Sequence, residues 1–149
     1  MWAQGMARLA EQGTARGREL VEGLAEALVE QARANTSSNG SHSYGTPTPA
    51  SPGGGPAQIS GTLTDSIGHS EPVPDLGGWS IKVGPRTGQY PPYGRRATSA
   101  DRYGYYLETG LRNGATYPWL KPAADAVAAG GALAAAGGVL NSLSWQPVF

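Results

Sequence analysis

No proline interrupts the chain from Trp2 to about Ala34, whereas twelve prolines and most of the 23 glycines crowd the residues that follow. Proline removes a backbone donor and clashes with the preceding helical turn, so its absence leaves this first stretch free to form a long helix. Its apolar residues Trp2, Met6, Leu9, Leu20, Leu24, Ala27 and Leu28 recur at helical spacing, with Arg8, Arg16, Arg18, Glu22, Glu26 and Glu30 at other positions. This is the pattern of an amphipathic helix. Gly13, Gly17 and Gly23 each cost about 1 kcal/mol relative to alanine in a helix interior, so the stripe needs a packing partner. Both charge signs share the polar face, which suits a protein core or a neighbouring subunit better than a membrane surface.

The segment Asn35–Pro56 is dense in Ser, Thr, Asn, Gly and Pro and offers little to bury, so it is expected to be a flexible insertion over 35–56. Beyond it, Leu63 and Ile67 stand four apart after polar residues and predict a single helical turn that docks two apolar side chains. Gly77–Val83 alternates Trp79, Ile81 and Val83 with Ser80 and Lys82, the period of a half-buried strand. His69–Val73 is a candidate hairpin partner that Pro72 and Pro74 confine to an edge. A proline-broken polar loop fills 85–101, and the aromatics of Tyr103–Glu108 favour a second strand. Tyr117–Pro122 reads as a rigid turn, with Pro122 in the first turn of an alanine-rich helix over 123–129 that breaks or continues weakly to about Leu140. A C-terminal tail, 141–149, carries Trp145 and Phe149.

Length permits one domain over 1–149, and the eleven basic and eleven acidic side chains cancel. A neutral chain lacks the positive field that drives nonspecific nucleic-acid or membrane binding. Cysteine is absent, which removes disulfides and thiolate metal sites from consideration, and the N-terminus lacks the long apolar run of an export signal. His42 and His69 lie in polar segments with no ligand spacing, so neither a metal nor a cofactor is expected. Glu108 has no second carboxylate or histidine in a recognisable constellation with it; it is expected to accept hydrogen bonds from nearby backbone or from Arg112, and no catalytic residue is expected.

Three local patterns, in order, carry a resemblance. They are Gly61-Thr-Leu63-Thr-Asp-Ser66-Ile67, Tyr105-Tyr106-Leu107-Glu108-Thr109-Gly110 and Tyr117-Pro118-Trp119-Leu120-Lys121-Pro122-Ala123. In sequence and spacing they resemble the tail-completion (neck, head–tail joining) proteins of long-tailed double-stranded DNA bacteriophages. The resemblance spans about Gly61 to Val127; the chain departs from it at Ser60, where threonine is usual, in the 35–56 insertion and in the glycine-broken C-terminal helix. It implies an α+β fold, with a small antiparallel sheet packed on the long N-terminal helix and a second helix near the C-terminus. It also implies a non-enzymatic virion protein, assembled in the host cytoplasm, whose copies form a ring, commonly of about six, around the DNA channel. The implied partners are further copies of the chain, the head-closure connector, the tail terminator and the tail tube, with genomic DNA passing through the lumen unread.

Rival readings attach to specific segments. The tail terminator occupies a neighbouring layer and forms a similar ring. Tyr90, Tyr93, Arg95, Arg96 and Arg102 mix cations with stacking faces as single-strand nucleic-acid binders do, although tyrosine and arginine also dominate protein interfaces, and an interface loop is the reading taken. The nearly uncharged 123–140 segment has the length of a membrane span, as in a small lysis protein, but Asp125 and its weak Ala/Gly hydropathy oppose insertion.

Overall fold

The computed structural model describes residues 5–12, 15–75, 78–92, 98–130, 138–140 and 144–145. Along the chain run β1 (Gly5–Gln12), α1 (Ala15–Asn35), α2 (Thr62–Ser66), β2 (Ile67–His69), β3 (Val73–Asp75), β4 (Gly78–Pro85), α3 (Ala100–Thr109), α4 (Leu120–Ala129), β5 (Gly138–Leu140) and β6 (Ser144–Trp145). The fold is α+β: a long N-terminal helix lies on a small antiparallel sheet, with α4 packed beside it.

Sheet order is β2-β4-β1-β5, with β3 also on β4 and β6 also on β1. The strand read from its period-two pattern, β4, is the organiser: Ile81 and Val83 are fully buried, Trp79 is half-buried, and both neighbouring lanes of the sheet pair with it. One flank pairs Ala7 with Val83 through Gln12 with Gly78; the other pairs Ile67 with Pro85 and Val73 with Ser80. The edge partner expected at 69–73 thus exists as two short pieces, β2 and β3. Pro74 lies on that outer lane opposite Trp79, where a missing N–H costs the ladder least.

Two expectations are corrected. The helix begins at Ala15, not at Trp2, and Gly5–Gln12 is instead a strand on β4. Its apolar residues fit a helical stripe locally, but pairing with β4 satisfies a row of backbone groups that a separate helix would leave open. Tyr103–Glu108 is not a strand but most of α3. Ala100, Gly104 and Leu107 are buried and Tyr103 half-buried, the i, i+3, i+4, i+7 set of one helical face, and this packing overrides the strand preference of the tyrosines. Of the two courses open to the alanine-rich helix after 129, it takes the break: α4 ends at Ala129, and Gly138–Leu140 forms a strand on β1.

The buried face of α1 is Val21, Leu24, Ala25, Leu28, Val29 and Ala32, whereas Ala27 is exposed. The stripe is therefore rotated from the expected one. Single short turns fill most of 36–61; Gly53 N–H donates to Thr116 O at 2.8 Å, and Gln58 and Gly40 bond across the base of the segment. The core gathers α1, β4, α2 and the start of α4, with Trp119, Leu28, Ile67, Ile81 and Leu120 its largest fully buried side chains.

Candidate functional site

The three resemblance segments pack into one unit. The first enters α2 through Gly61, at φ 79°, and the second leaves α3 through Gly110, at φ 140°, so both glycines hold backbone that L side chains rarely adopt. Leu63, Ser66 and Ile67 are buried, and Ser66 Oγ donates to Leu63 O at 2.7 Å, which closes the single turn on itself. Thr64 and Thr36 share a hydroxyl hydrogen bond of 2.7 Å that ties this turn to the end of α1.

Between the second and third segments the chemistry is a helix cap supplied from outside the helix. Glu108 Oε2 accepts from the N–H groups of Trp119 at 2.8 Å and Leu120 at 3.0 Å, and Oε1 accepts from Lys121 N–H at 3.0 Å. The first backbone donors of a helix have no partner within it. Here the fourth position is Pro122, which has no N–H, so one carboxylate and one proline account for the opening of α4. A negative charge at this end also interacts favourably with the positive end of the helix dipole. Glu108 is thus the expected acceptor from backbone, placed at the end of a helix rather than of a strand.

Trp119 is fully buried and its Nε1–H donates to Gly104 O at 3.0 Å. A Cβ at Gly104 would lie 2.9 Å from Leu63 Cδ1 and 3.0 Å from Trp119 Cζ2, so the absence of a side chain there lets the first and third segments close on α3 just before the second begins. Tyr117 N–H donates to Leu107 O at 2.6 Å, and Pro118 is half-buried beside it. At the other end of the cluster Asn35 Nδ2 donates to Trp119 O at 3.0 Å and Arg33 Nη2 to Ile67 O at 2.7 Å, so the last turn of α1 grips the first and third segments. Exposed Lys121 pairs with Asp125 at 2.8 Å, and that hydrogen bond and charge raise the lysine pKa.

Gly104, Arg33, Asn35 and Thr36 escaped the sequence reading. Only Gly104 left a signal there, as the one small residue among the tyrosines of 103–106.

Of the expected interface loop, Tyr90 is 41% exposed, Arg102 is exposed on α3, and Tyr93, Arg95 and Arg96 lie outside the described residues. Tyr106 is 38% exposed and turns away from the packed cluster. A cleft of about 310 Å³ opens between the 56–64 segment and α3, over Leu63, Tyr103 and Leu107, and its described lining holds no acid, base or thiol. Among the described residues no group of three His, Cys, Asp or Glu is placed to hold a metal ion, and no helix is long and apolar enough to cross a membrane. Compared with protein-family models, curated proteins and solved structures, the chain matches none.

Proposed function

We propose that this chain is a structural virion protein of a long-tailed phage, a ring subunit that joins the head connector to the tail tube around the DNA channel. The observation that supports this reading is the convergence of the three resemblance segments: Leu63 of the first and Trp119 of the third close on Gly104, the residue just before the second, and Glu108 of the second caps the helix that begins in the third. The shared residues therefore have a mutual physical purpose, which is to fix α2, α3 and α4 as one rigid body. A joint works by geometry. A rigid subunit repeated by symmetry multiplies modest contacts into a firm connection, and no bond chemistry is required. The near-neutral net charge fits a lumen through which DNA must slide.

The test is electron microscopy of particles from a phage deleted for this gene, with heads, tails and tail lengths scored separately. Filled heads beside free tails of normal length are expected. Overlong tails would move the protein to tail termination, and intact virions would overturn the structural reading.

A further inference from the structure

Charge is balanced over the chain, and along α1 exposed glutamates stand between the exposed Arg18 and Arg33. Along α1, Glu19, Glu26 and Glu30 are exposed, and Glu26 and Glu30, four residues apart, share one face. Beside them a groove of about 390 Å³ runs between α1 and α4, lined by Ala27, Glu30, Gln31, Ala34, Ala126 and Val127. Its alanines leave the helix backbones approachable, which gives room for a large ring. On α3, a helix packed against α2 rather than beside this groove, Arg102 and Tyr106 are exposed and also four apart, and the Tyr105 and Tyr106 rings lie 5.5 Å from centroid to centroid. Among the described residues, Glu26, Glu30 and Arg102 enter no ion pair.

We propose that the Arg102–Tyr106 face of α3 in one copy docks into the α1–α4 groove of the next, Tyr106 over the alanine floor and Arg102 against Glu26 and Glu30. The proposal rests on the ring reading above and names the surfaces that build the ring. Tyrosine and arginine are the residues that most often anchor interfaces, and a guanidinium suits paired carboxylates. Because the two faces differ and belong to the same chain, the contact is heterologous, and such contacts propagate head to tail until rotation closes them.

Native mass spectrometry of the full-length chain tests it. Glu26→Lys with Glu30→Lys, or Arg102→Glu alone, should weaken assembly at least tenfold while circular dichroism of the monomer stays that of the unaltered chain, since all three residues are exposed. Mixing the two variants in equal amounts should restore assembly, because every alternating interface then regains opposite charges. The chain has no cysteine, so Gln31→Cys with Tyr106→Cys supplies the only two thiols, and oxidation should yield a ladder of covalent oligomers where either single variant stops at dimers. Variants that assemble with unaltered affinity and give no ladder would overturn the docking and leave the ring reading standing. Variants that keep the oligomer but lose the joint in particles would assign these faces to another virion protein and equally overturn it. A chain that forms no oligomer in solution or in particles would remove the ring reading and the docking together.

Discussion

Glu108 and Pro122 divide one task between them. The carboxylate satisfies the N–H groups of Trp119, Leu120 and Lys121, and proline brings none of its own. Losing a helix cap typically costs about 0.5–2 kcal/mol, and hydrogen bonds to a charged acceptor sit at the upper end of the range. Glu108→Ala is therefore expected to destabilise the fold by about 2–3 kcal/mol in urea titration. Glu108→Gln keeps one acceptor oxygen, loses the charge, and should cost about half as much. Equal losses for both variants would mean that the charge contributes nothing and that shape alone matters. Trp119 is the larger stake. It is fully buried and its indole N–H is bonded to Gly104 O, so Trp119→Ala should cost about 3–5 kcal/mol as a large-to-small core change. A melting point unchanged within error would contradict its place in the core. The sequence announced Glu108 as an acceptor from nearby backbone, but not that this backbone is the start of α4, a helix away from its own.

At the scale of elements, the sequence announced what local periodicity can carry. The alternation of Trp79, Ile81 and Val83 announced β4, and the four-residue spacing of Leu63 and Ile67 announced the α2 turn. It misled where tertiary contacts outweigh local preference. Read from Tyr103 onward the aromatic run looks like a strand; read from Ala100 it shows the helical set Ala100, Tyr103, Gly104 and Leu107 that packs on Leu63 and Trp119. Likewise β1 depends on β4, a strand some seventy residues away in the chain, and nonlocal pairing leaves no short-range signature. Two glycines within helices make the distinction measurable. Gly23 in α1 would present an added Cβ to open space, so Gly23→Ala should stabilise the protein by about 0.5–1 kcal/mol through helix propensity and reduced freedom of the unfolded chain. Gly104 in α3 has the same propensity to gain, but its Cβ would press on Leu63 and Trp119, and overpacking of this kind typically costs about 1–3 kcal/mol. Gly104→Ala should thus lower the urea midpoint where Gly23→Ala raises it. Shifts of the same sign would show that propensity, not packing, governs α3.

For the molecule as a whole, the question is whether the long helix and the three-segment cluster form one cooperative body. The link is the peptide around Trp119: Glu108 holds its N–H, and Asn35 from the last turn of α1 holds its carbonyl oxygen. Groups that share a partner couple energetically, whereas remote ones add. In a double-mutant cycle, Asn35→Ala and Glu108→Ala should therefore deviate from additivity by at least about 0.5 kcal/mol, because loss of either bond lets the Trp119 peptide move and weakens the other. Arg18→Ala provides the contrast. Its exposed contacts are to Glu71 and the face of Trp79, and it sits about 25 Å along the α1 axis from Asn35 by helix geometry. Its cycle with Glu108→Ala should close within about 0.3–0.5 kcal/mol. Additivity in both cycles would mean that α1 docks independently of the cluster and that the fold hinges between them. Coupling at Asn35 alone would locate the rigid joint of the fold at the α1 C-terminus, beside the groove between α1 and α4.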